Sequence, residues 1–485
     1  MASETGPAAF FHMGNRLLEH GLTDAAIAAF QRCAVLVPNH AAVHYNLGNA
    51  LAGAGRTVEA VDALLACLRI APDFGPGYVN LANALRHLAL LDQAQAMAEL
   101  GVRHLPDVPE ARLCLGAVLH DQGAFAAAAA VYRAVLLDVP GHAGALSSLG
   151  NSLRAMGRLD AALAAHGQAV AAAPDDAEIR FSRATALLAA GDFAEGWAEY
   201  EWRWRRAEVR PRGFGEAWRG EDIAGRTILL HAEQGLGDTL QFVRYAPLVA
   251  ARGAWVVLEV QASLVRLMGT LPGVAQVVAR GDALPAFDVH CPLLSLPRAF
   301  RTRLGNVPAD VPYLCAEPAA AAAFRVRLPD GGLRVGLAWA GSPHTDHAMT
   351  HLMDRRRSVG LAALGGLGDV AGVHWVSLQK DAPAPLPDGL TVIDLMREVT
   401  DFADTAALVG ALDLVISVDT SVAHLAGALG RPVWLLSRFD GCWRWLHGRD
   451  DSPWYPGMRI YRQEQPHDWA GVIERVRADL AGLSG

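Results

Sequence analysis

Hydrophobic and polar positions divide this chain into two regimes. Over the first 210 residues, apolar residues recur with helical spacing in paired segments, and the pairs repeat. Pro38, Pro72, Pro106, Pro140 and Pro174 recur every 34 residues. Gly21, Gly55, Gly123, Gly157 and Gly191 fall on the same grid, with Ala89 filling the gap. A third row reads Gly14, Gly48, Ala82, Gly116, Gly150 and Ala184. Each unit therefore predicts a first helix with a small residue inside it, a turn, a second Ala-rich helix, and a Pro that cannot continue it. Six such units fit between residues 7 and 210. From 226 onward the period changes. TILLH, WVVLEV, FDVHC, RVGLAWA, VHWVSLQ, LTVIDL, LDLVISV and PVWLLS are short apolar runs between helical stretches, which predicts buried strands. Strand–helix alternation of this kind predicts parallel, doubly wound sheets. The strands form two sets, at 226–315 and 333–485, with a crossing at 316–332 and a Gly/Pro-rich linker at 211–225. Ahead of that linker, 197-WAEYEWRWRRAEVRP-211 is too aromatic for a free connection. It predicts a last helix whose Trp faces are contact area.

The repeated units, such as 41-AAVHYNLGNALAGAGRTVEAVDALLACLRIAPDF-74, resemble the tetratricopeptide repeat. The resemblance implies stacked helical hairpins, an α-solenoid with a concave inner face. Asn15, Asn49, Asn83 and Asn151 share one repeat position, which the helical wheel turns away from the partner helix; the fourth repeat breaks the row with Ala117. Asn46 and Asn80 begin a second row. An amide both donates and accepts, so a column of Asn suits an extended peptide backbone of any sequence. The column resembles that of the nucleocytoplasmic protein O-GlcNAc transferase, and we expect a protein partner on this face.

Composition narrows the classes. With 485 residues, 52% of them hydrophobic and 19% charged, the chain has material for two or three folded domains. A formal charge of -8 gives no electrostatic footprint for nucleic acid. The six Cys are scattered without a CxxC pair, which argues for a reducing compartment and against a Cys-based zinc site. Neither a signal peptide nor a membrane-spanning run is visible, so the expected location is cytoplasmic.

Two turns carry the candidate chemistry. The first, 229-LLHAEQGLGDTLQFVRYAP-247, passes from a strand through a Gly-rich turn into a helix. It is not the dinucleotide fingerprint G-x-G-x-x-G, because Leu240 stands where the third Gly belongs, so NAD is disfavoured. Asp238 can be read as a helix cap, accepting from a backbone N–H in the first turn. It can equally be read as a base that removes a proton from an acceptor hydroxyl. The second turn, 412-LDLVISVDTSVAHLAGALGRPVWLL-436, places Asp419, Thr420 and Ser421 where a strand gives way to a helix, with His424 in its first turn. A helix N-terminus offers unpaired N–H groups to a diphosphate.

Together GLGDTL and SVDTSVAHLAGALGRPVW resemble the heptosyltransferase-like glycosyltransferases over about 226–470. The segments 335-VGLAWAGSP-343, 355-RRRS-358 and 376-VSLQK-380 add to the likeness. The resemblance implies a GT-B fold of two Rossmann-like halves, acceptor side first and donor side second. It matches Asp238 to the general base, and Asp419, Thr420, Ser421 and His424 to the donor phosphate and sugar contacts. Gln379 and Lys380 stand at a strand end near the nucleotide, and Arg357, in the run Arg355-Arg356-Arg357, is a phosphate candidate. No DxD motif is present, in keeping with metal-independent, inverting transfer. His344, His347 and His351 sit in a loop without an HExxH-type helix, and no metal is expected; nor is a cofactor beyond the nucleotide-sugar co-substrate.

Trp443, Trp445, Trp454 and Arg444 either roof the donor site or tie the last helices to the sheet. The tail 438-RFDGCWRWLHGRDDSPWYP-456 looks like others in chains that join these repeats to this domain, and that resemblance implies flagellin as one acceptor, since some such relatives modify it. The resulting expectation is a protein O-glycosyltransferase acting on Ser or Thr. Its alternatives are a glycan-directed transferase, such as one acting on lipopolysaccharide, and a repeat scaffold whose transferase domain is degenerate.

Overall fold

The computed structural model describes residues 6–483 except 208, 210–211, 342–347 and 381–385; for 348–351 it describes the backbone alone. The repeats form twelve helices: α1 Pro7–Glu19, α2 Thr23–Leu36, α3 Ala41–Gly53, α4 Thr57–Ile70, α5 Gly75–His87, α6 Leu91–His104, α7 Pro109–Asp121, α8 Phe125–Asp138, α9 Ala143–Ala155, α10 Leu159–Ala172, α11 Ala177–Ala190 and α12 Phe193–Tyr200. The small-residue row sets how closely each hairpin closes. A Cβ on Gly14 would stand 2.6 Å from the Phe30 ring, one on Gly48 2.7 Å from Leu64, and one on Gly116 2.5 Å from Tyr132. The turn row is left-handed throughout. Gly21, Gly55, Gly123, Gly157 and Gly191 have φ between 71° and 84°, and Ala89 is forced to 58°. The Pro row lies two residues beyond the end of each second helix.

Two compact units result. One is formed mainly by the helices up to Met156, the other mainly by the chain from Pro174. The units therefore do not part at 211–225. The sixth hairpin, α11–α12, shares a core with the α/β layers: Leu188, Phe193, Trp197 and Tyr200 are buried with Phe242, Val243, Trp443 and Trp454. Trp197 is 1% exposed and meets the rings of Trp443 at 5.3 Å and Phe242 at 5.8 Å. The aromatic segment is contact area. Trp202 and Trp204, by contrast, lie half-buried under the guanidinium groups of Arg205 and Arg203.

The second unit holds two parallel sheets. The first is ordered β3-β2-β1-β4, from β1 Thr227–His231, β2 Trp255–Val260, β3 Val274–Ala279 and β4 Val289–Pro292. The other is ordered β10-β9-β8-β5-β6-β7, from β5 Leu333–Ala338, β6 Val373–Ser377, β7 Val392–Ile393, β8 Leu414–Val418, β9 Val433–Ser437 and β10 Met458–Arg462. Every residue of β8 and β9 is buried, as expected for strands covered on both faces. Two strands escape the sequence pattern, and both lie at edges. β3 is half exposed around Gln276, and β10 interleaves Arg459 and Arg462 with apolar residues. The run LTVIDL yields only the two residues of β7.

Candidate active site

Each candidate turn follows a strand at the carboxyl end of its sheet, the end where open α/β sheets bind ligands. After β1, Gly235 caps the short helix α13, Leu236–Phe242. Asp238 is the third residue of α13 rather than its cap. Its Oδ2 accepts a hydrogen bond from the Gly235 N–H at 3.0 Å, closing the reciprocal half of a capping box. A cap receives from the first turn, whereas Asp238 reaches backward. Its Oδ1 pairs with Arg444. Arg444 in turn donates through Nε to Gln241 Oε1 at 2.9 Å and lies over the Trp443 ring at 4.2 Å.

After β8, Thr420 caps the helix Ser421–Ala428 with an extended backbone but contributes no side-chain hydrogen bond to it. Its Oγ1 instead meets Ser417 Oγ at 3.2 Å. The first-turn N–H groups of this helix therefore have no side-chain cap. The two helix starts touch: a Cβ on Gly237 would lie 2.9 Å from His424 Cδ2 and 3.7 Å from Ser421 Cα. Asp238, Ser421 and His424 are thus brought into one place by residues almost 200 apart.

His424 is 4% exposed. Its Nδ1 lies 3.0 Å from the Tyr455 hydroxyl, and its ring stacks on Trp445 at 5.2 Å. Burial, then Arg444 and Arg244, pushes it well below the ordinary imidazole range, so it is neutral. Tyr455 is pushed up by burial and keeps its proton.

The other donor-side candidates gather at the ends of β5, β6 and β8. Arg357 pairs with Asp354 and donates through Nη1 to the Asp419 carbonyl at 3.3 Å. Its guanidinium also fills the space against Gly341, where a Cβ would come within 2.6 Å. Gln379 Oε1 accepts from the Ala340 N–H at 3.0 Å. Lys380 ends in an exposed turn. His344 and His347 lie outside the described residues, as does the side chain of His351. Among the described residues no three His, Cys, Asp or Glu are grouped to hold a metal, and no helix is long and apolar enough to cross a membrane.

The aromatic tail does not roof the site. Trp443, Trp445 and Trp454 are at most 6% exposed and belong to the core. What the tail contributes to the site is Arg444 and Tyr455, the partners of Asp238 and His424. Arg444 stood out in the sequence within W-R-W, but nothing there linked it to Asp238; Tyr455 carried no signal. A further clamp also went unseen. Arg203, from the 3-10 turn Glu201–Arg205 after α12, grips Glu233 through two bonds of 3.2 and 3.0 Å and donates to Ser295 Oγ at 2.8 Å. Glu233, whose carboxyl is pushed up by burial, also accepts from the Leu294 N–H and so holds the approach to the Gly235 turn.

The Asn residues, described within the array, bond to one another. Asn46 donates to Asn15 Oδ1 at 2.8 Å, and Asn80 to Asn49 Oδ1 at 2.6 Å. Cys114 takes the same place toward Asn83 at 3.5 Å. The second row thus donates to the carbonyl oxygens of the first. Asn151 is half-buried.

Comparison with known proteins agrees with this array. The tetratricopeptide repeat profile matches residues 11–73, 79–143 and 148–203. The first part of this chain is a tetratricopeptide array. Protein FlbA of Caulobacter vibrioides is 30% identical over 344 residues, 63% of this chain. That match spans 56% of the length of FlbA, so the two chains share only part of their extent. Among solved structures, the thermophilic repeat protein TTC0263 of Thermus thermophilus is 26% identical, covers 38% of this chain and 100% of its own, and has a TM-score of 0.33. YrrB, described as a repeat protein with an unusual peptide-binding site, is 22% identical over 36% of this chain and 91% of its own, with a TM-score of 0.32.

Proposed function

We propose that this protein is a glycosyltransferase that moves a sugar from a nucleotide-sugar donor to a Ser or Thr hydroxyl of a protein held by the array. The observation that carries the reading is the contact of the GLGD turn with the uncapped start of the Ser421–Ala428 helix. It puts a carboxylate beside a helix start that has no side-chain cap, each at the carboxyl end of a parallel sheet. In this reading the two sheets are the halves of a GT-B fold. Asp238 takes the hydroxyl proton, and the oxygen attacks the anomeric carbon from the face opposite the diphosphate. The bond to the diphosphate breaks with inversion, and the helix start and Arg357 receive the departing charge. Two lone-pair directions of the Asp238 carboxylate are already used, and a carboxylate has about four such sites. Tetratricopeptide repeats support a protein acceptor, and flagellin is the specific candidate offered by the family likeness.

A second reading has its own observation. Asp238 is engaged by both Gly235 and Arg444, as a purely structural carboxylate would be, which favours a scaffold without catalysis. A thermal-shift panel of ADP, UDP, GDP, CMP and their sugars separates the two. A donor site predicts that one nucleotide raises the melting temperature, with about 2.7 kcal/mol of stabilisation at a hundredfold excess over Kd. A well-folded sample that ignores the whole panel rejects the transferase reading.

A further inference from the structure

His424 lies where the two turns meet, and its hydrogen bonding bears on what it can do there. The ring is neutral, so one nitrogen carries a proton and the other accepts. Nδ1 faces the Tyr455 hydroxyl at 3.0 Å. The Cδ2–Nε2 edge faces the GLGD turn, where a Cβ on Gly237 would be 3.5 Å from Nε2. Which nitrogen holds the proton is set by the direction of the Tyr455 hydroxyl.

The groups around that hydroxyl decide its direction. Arg244 is buried. It donates to the carbonyls of Gln241, Pro308 and Trp454 and to the Tyr313 hydroxyl, and it lies over the Tyr455 ring at 4.6 Å. The Tyr313 hydroxyl sends its own proton to the Leu240 carbonyl at 2.8 Å. The Tyr455 hydroxyl has Arg244, Tyr313 and His424 as partners. Its lone pairs serve the guanidinium, and of the two acceptors left for its proton an imidazole nitrogen is far stronger than the Tyr313 oxygen, which already takes a bond from Arg244, so the proton goes to His424. The charged and titratable groups facing His424 are completed by Arg444 with its partner Asp238, and both cations oppose a second proton on the ring.

We infer that Tyr455 is a positioning residue that donates to His424 Nδ1, so that His424 presents Nε2–H, a neutral donor, to the meeting point of the two turns. A donor there selects an oxygen acceptor, and beside an uncapped helix start that acceptor is an anionic phosphate oxygen. His424 is then excluded as a base, and proton removal falls to Asp238. The phosphate assignment rests on the transferase reading; the tautomer does not.

The test is a long-range proton–nitrogen correlation spectrum of the full-length protein labelled with 15N-histidine, with His424→Gln identifying the resonances. The expected pattern has an unprotonated Nδ1 and a protonated Nε2, unchanged across the range in which free histidine titrates. A protonated Nδ1, or titration near the ordinary value, overturns the inference from the wild-type spectrum alone. Tyr455→Phe is expected to keep the fold and mix the two tautomers; an unchanged Nε2–H pattern in that folded variant removes Tyr455 from the role. Pyrophosphate, UDP and ADP are then added. A displaced Nε2 proton signal supports the phosphate assignment, and a signal that ignores all three overturns it. Failure of sugar transfer with the tautomer and the pyrophosphate response intact would count against the transferase reading alone.

Discussion

At the scale of single residues, Asp238 is the position where structure and chemistry compete. The carboxylate is tied to Gly235 and Arg444, and removing it leaves a buried guanidinium without its partner. Asp238→Asn is therefore expected to cost about 3 kcal/mol of stability, the usual size for a broken buried pair. If Asp238 is the base, transfer also falls by at least about 100-fold. Combining Asp238→Asn with Arg444→Gln separates the effects, because the double variant regains stability through loss of the orphaned charge. Denaturant melts and transfer rates on all three variants provide the check. Stability recovered without activity supports a base, and recovery of both marks a structural carboxylate. Ala89 makes a smaller, independent case. It occupies the left-handed turn that Gly takes elsewhere in its row. Ala89→Gly is expected to stabilise by about 0.5 kcal/mol, the relief of a left-handed Ala less the added freedom of the unfolded Gly. Urea unfolding of the array measures it.

At the scale of elements, the repeat grid made all twelve array helices legible, because Gly, small residue and Pro each answer a steric demand that recurs every hairpin. The buried strands of both sheets were legible for a similar reason. Each is a continuous apolar run, and only the edge strands β3 and β10, diluted by polar residues, were lost. The two site turns were visible individually, since each is a break from strand to helix with a carboxylate at it. The particular contact between them was not, because it depends on Gly237 packing against His424 across nearly 200 residues. The Asn column was legible as a row but not as a network. Its links through Asn46 and Asn80 cross between repeats, which a single-helix wheel cannot show. Replacing Asn15, Asn49, Asn83 and Asn151 together by Ala is expected to lower transfer to a protein acceptor by 10-fold or more, at about 0.5–1.5 kcal/mol per lost amide bond. Hydrolysis of the donor to water should stay unchanged. Equal loss of both would mean that the column only stabilises the array.

At the scale of the whole molecule, buried histidines tie the second unit to pH. His231 meets His290 at 3.2 Å and is pushed down to about 3 by burial, by His290 and by nearby Arg212, Arg280 and Arg203. In the unfolded chain it titrates near 6.5, so the unfolded state takes the proton first. Its contribution is fully present above that value and is lost as the pH falls toward 3, at about 1.4 kcal/mol per pH unit. His424 acts in the same direction. His231→Gln should flatten the pH dependence of unfolding by that slope, and parallel curves for the two proteins would contradict the burial argument. The other feature at this scale is the sixth hairpin, which obeys two masters. Its sequence keeps the 34-residue grid, yet Trp197 and Phe193 are also core residues of the α/β unit. Duplication or deletion can change the length of the array ahead of α11 one cassette at a time. The final cassette cannot be traded, because without it Phe242, Trp443 and Trp454 would face water. In any such change the last repeat goes with the α/β layers, and those before it are free to vary in number.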